Sequence, residues 1–253
     1  MLGKRLKFST AMTFGLLLCA VSALAAPIDG SFSGTGWATV SFTSLNFCPN
    51  GQEPNGPNQP DACTSATGNV ELGGGAGSFA GVTGDLNTID SLNSSIAPIG
   101  VTVNIPNWME FIPAVGSPPI SLTLTQVLPG SFSSAQCFSA PAAGQTCTPV
   151  GSAFNLVNQT STTSSATFAV IGNAVNGVAG DTSPFTAIFT SQFNVPFQTL
   201  LTSLFANNNT GTYSSSYSLS VDAEAIPEPM TLSLVGGSLI GLVMWQRRRA
   251  ARK

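Results

Sequence analysis

The placement of positive charge limits this chain more than any other feature. It has eight lysines and arginines and no histidine. The cations are Lys4, Arg5, Lys7, Arg247, Arg248, Arg249, Arg252 and Lys253, so none lies between Phe8 and Gln246. All eleven carboxylates fall inside that interval: Asp29, Glu53, Asp61, Glu71, Asp85, Asp90, Glu110, Asp181, Asp222, Glu224 and Glu228. The middle must therefore fold without a cationic partner for any of its acids, between two basic tails.

This arrangement excludes whole classes of function for the middle. Nucleic-acid and nucleotide partners are recognised through Lys and Arg that neutralise phosphate, and the middle has neither. Ser–His–Asp and Cys–His catalysis and most catalytic zinc sites need an imidazole. Schiff-base lysines and P-loops are ruled out in the same way.

At the N-terminus, Lys4, Arg5 and Lys7 precede an uncharged apolar run from Ala11 to Leu24. Ala23 and Ala25 bracket Leu24 in a small-x-small cleavage site, so residues 1–25 read as a secretory signal peptide removed by signal peptidase. An uncleaved anchor is disfavoured because the run is short for a bilayer. A lipoprotein signal at Cys19 fails because Leu18 stands where a small residue is required.

At the C-terminus, Ile226-Pro227-Glu228-Pro229 leads into an uncharged span, 230–246, and a basic end, 247–253, containing Arg247, Arg248 and Arg249. As a helix, Met230 to Trp245 rises about 24 Å, against about 30 Å of hydrocarbon. Trp245 and the arginines can snorkel, and the arginines would stay cytoplasmic. Residues 226–253 resemble the PEP-CTERM sorting domain of exported bacterial proteins, in the Pro227-Glu228-Pro229 triplet, the short span and the arginine run. Ile226 departs mildly from the usual Val. The resemblance implies that an exosortase cleaves near the triplet, and that the host makes exopolysaccharide. An ordinary single-pass anchor would have the same topology but keep its helix in the mature protein.

Residues 26–225 form a Ser/Thr-rich stretch in which short alternating runs predict strands. These are Ala38 to Phe42, Ile120 to Leu124, Ala166 to Val170, Phe185 to Phe189, and Tyr213, Ser215, Tyr217, Leu219 and Val221 on one face. Val101 to Val103 and Trp108 to Ile112 are further candidates. Strands with one apolar face must cover each other, which predicts an all-β fold. A β-sandwich is expected first, with a barrel or β-solenoid behind it. The lack of a fixed internal period argues against the solenoid. Phe197, Leu200, Leu201, Leu204 and Phe205 lie at helical spacing, which predicts a short helix over 197–205 plugging one end. Pro196 would start it, and Asn207-Asn208-Asn209 would stop it.

Once the signal peptide is removed, four cysteines remain: Cys48, Cys63, Cys137 and Cys147. An even number in an exported chain predicts two disulfides. Proximity in sequence favours Cys48–Cys63 and Cys137–Cys147, each closing a loop-rich segment. The spacings do not suit a metal site.

No cofactor is expected. Calcium is the one ion such acids would take, at Asp29-Gly30-Ser31, Asp61 or Gly180-Asp181-Thr182, but no DxDxDG run is present and surface acids for solubility are the plainer reading. Trp37 and Trp108 are both expected in the core rather than on a sugar-binding platform. Paired acids drawn from Glu53, Glu71, Glu110 and the aspartates could in principle hydrolyse a glycoside, yet nothing in the sequence brings two together. The expectation is an exported, non-catalytic protein of the cell envelope or extracellular matrix, transiently anchored in the inner membrane. Its role would be structural or adhesive with exopolysaccharide. A carbohydrate-binding module, calcium-assisted or not, is the alternative.

Overall fold

A computed structural model describes residues 28–41, 43–48, 67–82, 84–111, 119–176 and 182–225, together with Gly236 and Ser238. The chain divides into a unit spanning Ile28–Glu224 and a second made of Met1–Pro27 with Ala225–Lys253. Ala23, Ala25, Pro227, Glu228, Pro229, Arg247, Arg248 and Arg249 lie outside the described residues. Among those described, no helix is long and apolar enough to cross a membrane.

The unit Ile28–Glu224 is all-β, as expected. Eight strands form its frame: β1 (Gly30–Ser41), β3 (Thr67–Gly75), β4 (Gly84–Asp90), β6 (Ile105–Glu110), β7 (Ser121–Val127), β10 (Ser164–Val175), β11 (Thr182–Phe193) and β12 (Thr212–Ala223). Each is hydrogen-bonded antiparallel to the next in that order, and β12 returns to β1 over twelve residue pairs, from Gly30↔Ala223 to Ser41↔Thr212. The sheet thus closes into an up-and-down barrel. Of the architectures weighed from sequence, this is the barrel. The two apolar faces that a sandwich would pack together are opposite walls of one closed sheet.

Alternation explains the closure. Along β12, Tyr217, Leu219, Val221 and Ala223 point inward and are buried, while Ser214, Ser216, Ser218, Ser220 and Asp222 are exposed. β11 repeats the pattern with Phe185, Ala187 and Phe189 inside. Register shifts between Ser33 and Gly34 on β1, and between Ile171 and Gly172 on β10, mark bulges that bend the long strands round. The interior is filled with aromatic rings. Trp108 is fully buried, its ring 6.1 Å from that of Phe189, and its Nε1–H donates to the Asp90 carbonyl at 3.1 Å. An apolar interior behind a hydroxyl-rich wall is the reverse of a barrel that faces lipid.

The two ends of the barrel differ. Where β1 starts, a 3-10 turn, Gly77–Phe79, places Phe79 over the interior. Its ring lies 5.0 Å from Phe32 and 5.9 Å from Phe111, and this cluster fills that end. At the other end the frame splits. Beyond Thr35, the edge of β1 that faces β3 passes to β2 (Ser44–Asn46), which pairs in turn with β5 (Leu92–Asn93). Before Val170, the edge of β10 that faces β7 passes to β9 (Asn155–Asn158), which carries β8 (Thr146–Cys147). The helix α1 (Phe197–Asn209) joins β11 to β12 across this split end.

The expected helix is therefore present but longer than predicted. It runs through the asparagines, and only at Asn209, with φ 67°, does the backbone turn left-handed. Two expected strands need correction. Val101 to Val103 is irregular chain, leaving Val101 exposed. The strand around Trp108 starts earlier, at Ile105, and ends at Glu110. Cys137 and Cys147 are bonded as expected, with Cα atoms 5.1 Å apart. Cys48 is also disulfide-bonded, and Cys63 lies outside the described residues.

Candidate functional site

Two features have the geometry of recognition sites: a cavity at the split end and the outer wall of β1 and β12. The cavity has a volume of about 180 Å³. Its floor is Ala38, Phe47, Phe168, Phe189 and Tyr217, all buried inside the frame. One flank comes from Leu45 and Leu92 on β2 and β5, the other from the Pro149–Phe154 segment leading into β9. Leu200, Leu201, Leu204 and Phe205 of α1 complete the lining. The helical stripe read from sequence is thus the wall of a cavity rather than a solid plug. Its rim is open to solvent, with Val150 84% exposed on a turn where Gly151 has φ 73°.

No charged side chain lines this cavity among the described residues. Tyr217 is part of the lining, and its hydroxyl is sealed from solvent with no hydrogen-bond partner. Burial pushes the phenol well above the ordinary tyrosine range, because the phenolate would be desolvated. The ring fits there because Gly36 stands opposite it on β1: a Cβ at that position would lie 2.5 Å from the hydroxyl oxygen.

The helix is held over the cavity by a polar cluster. Asn158, fully buried on β9, accepts the backbone N–H of Phe197 at 2.9 Å. Its amide donates to Gln145 and Gln198 at 3.1 and 3.0 Å. The Cys137–Cys147 bridge packs beside Leu200 and Leu201 in the same apolar cluster.

The outer wall overturns one expectation. Trp108 is a core residue, but Trp37 is 45% exposed on the outside of β1, across from Ser216 of β12. Its strand neighbours Thr35 and Thr39 face Ser218 and Ser214, and the Thr39 and Ser214 hydroxyls are 2.6 Å apart. Thr190 of β11 continues the row beyond Ser218. A tryptophan thus stands among uncharged hydroxyls, which the alternation of β1 could have signalled: Trp37 is out of phase with Phe32 and Ala38.

The described acids fall on several strands: Asp222 lies across from Ser31, near the end of β12 that Asp29 and Glu224 flank, while Glu71 stands in the middle of β3. Glu71 faces Thr35, Glu110 lies across from Thr88 and Ser121, and Asp90 accepts from Thr67 at 2.9 Å. No group of three or more acids or cysteines suited to a metal occurs among the described residues. Asp29-Gly30-Ser31 is the start of β1 rather than a loop. Asp61, Asp181 and Glu53 lie outside the described residues. Comparison with family models, curated proteins and solved structures gave no match.

Proposed function

We propose that this is an exported, non-catalytic protein of the cell envelope or extracellular matrix, adhering to neutral exopolysaccharide through the outer wall of β1 and β12. The terminal segments support the route: signal peptidase at Ala23-Leu24-Ala25, then exosortase at Pro227-Glu228-Pro229 after transient anchoring by 230–246. The observation that carries the adhesive reading is Trp37, exposed on a strand whose other outward residues are hydroxyls. An exposed indole offers a flat apolar face and one N–H, and Ser and Thr both donate and accept hydrogen bonds. That chemistry suits a sugar ring, with its apolar faces and hydroxyl rim. The barrel wall is a convex surface rather than a groove, which favours contact along a polymer over a carbohydrate-binding module that encloses one sugar. No cofactor enters this reading.

The test is retention of the purified protein on immobilised exopolysaccharide from its host. Substituting Trp37→Ala is expected to weaken retention roughly tenfold or more, as loss of a central aromatic anchor does. Equal retention of the two proteins would refute the role of this wall. For the sorting step, the intact mass of the extracellular protein decides, since a chain still carrying Met230 to Lys253 has not been cleaved.

A further inference from the structure

The cavity at the split end lies inside the barrel, away from the wall that carries the proposed adhesion, and has its own chemistry. Its floor is carbon: the rings of Phe47, Phe168 and Phe189 and the methyl of Ala38, with Leu45 and Leu200 at the sides. The Tyr217 ring belongs to the same lining, but its hydroxyl is sealed beneath the surface and offers a guest nothing. A buried water needs about two to four polar partners, and the side chains of the floor supply none. The mouth is open between two turns, one at Val150 and Gly151, the other at Ser94 to Ile99, so a molecule can enter without unpairing a strand.

We infer that the cavity takes up a small uncharged molecule with an apolar body the size of one ring, held by burial of its surface and needing no hydrogen bond. Three observations select this occupant. An apolar cavity of roughly 150 Å³ takes a benzene-sized guest, and this one is about 180 Å³. No charged side chain lines it among the described residues, so a carboxylate, phosphate or ammonium would lose its hydration with nothing to replace it. The carbon floor holds water poorly, and an apolar guest gains by covering it.

The probes are isopropylbenzene and two charged molecules of similar size, benzoate and benzylammonium. Each is titrated by NMR into the protein purified from its host without detergent. Isopropylbenzene is expected to bind, with shift changes centred on Leu45 and Leu200, and both charged probes to bind at least about tenfold more weakly. Using both signs separates the lining from the net charge of the protein, which would favour benzylammonium alone. Ala38→Val on β1 and Ala166→Val on β10 narrow the cavity from two strands, and each should weaken isopropylbenzene roughly fivefold or more. Three results would overturn the inference. In one, isopropylbenzene does not bind, as when a segment of the same chain fills the cavity. In another, either charged probe binds as tightly as isopropylbenzene. In the third, neither alanine variant weakens isopropylbenzene, which would place it elsewhere on the molecule.

Discussion

The side-chain oxygen of Asn158 accepts the first backbone N–H of the helix, from Phe197, at 2.9 Å. A helix start leaves several N–H groups without intrahelical partners, and the residue before this one, Pro196, has no side chain to cap them. The cap is therefore supplied from β9, about forty residues earlier in sequence. The same asparagine fits the glycosylation sequon Asn158-Gln159-Thr160, but its complete burial leaves no room for a glycan on the folded protein.

Asn158→Ala should cost about 2 kcal/mol, from the lost cap and from the Gln198 side-chain oxygen left without its donor, while Gln145 keeps the Ala142 N–H and the Gln198 amide. Urea unfolding of the purified protein measures this. Ser161→Ala, in the exposed turn three residues on, is the control and should change stability by less than about 0.5 kcal/mol. Equal effects from the two substitutions would show that the buried cluster does not hold the helix.

The Cys137–Cys147 bridge closes a short loop against the same helix. A link of this length contributes about 3 kcal/mol on the chain-entropy account. The pair Cys137→Ser and Cys147→Ser should lower stability by about that amount. Hydrogen exchange in α1 should rise more than in β12, because Leu200 and Leu201 pack on the bridge and Val221 does not. Uniform loosening of the whole barrel would contradict this.

Strands with strict alternation were readable in advance, and the others had identifiable reasons for being missed. In β10, β11 and β12 every second residue enters the core, so Phe185, Phe189, Leu219 and Val221 announce the inner face. β3 holds Gly68, Gly73, Gly74 and Gly75 and shows no alternation. Gly68 is needed because an added Cβ would lie 2.2 Å from the Phe47 carbonyl oxygen, a tertiary contact that local pattern does not reveal. At Trp108 and Met109 two adjacent residues are both buried, because a register shift between Ile105 and Met109, with Asn107 at φ 53°, breaks the period. The helix was legible from its apolar spacing. That its stripe lines a cavity depends on β2 and β9 replacing β3 and β7 at that end, which is a property of pairing.

Trp37 and Trp108 make a contrast that stability measurements can read. Trp108→Ala removes a fully buried indole that packs on Phe185 and Phe189, and should cost about 3–5 kcal/mol. Trp37→Ala, on the outer wall, should cost less than about 0.5 kcal/mol. A large loss from Trp37→Ala would mean that it braces the sheet, and its effect on exopolysaccharide retention would then have a second cause.

Tyr217 gives the barrel an alkaline limit. Its phenol is shifted upward by burial, so in the folded protein it stays neutral at pH values where the unfolded chain ionises. Below about pH 10, the ordinary tyrosine value, both states hold the proton and the group adds no pH dependence. Above it, the unfolded state loses the proton first, and stability should fall by about 1.4 kcal/mol per pH unit until the folded phenol also ionises. The chain has two tyrosines and no histidine, and its lysines lie only in the tails, so little else in the barrel titrates there. Tyr217→Phe should flatten this limb. Near neutral pH it should leave the unliganded protein unchanged or about 1 kcal/mol more stable, since it removes a buried hydroxyl without a partner. Unfolding by urea at pH 7, 10 and 11 separates the two effects. An equally steep alkaline limb in both proteins would show that Tyr217 ionises as readily in the folded protein as in the unfolded chain.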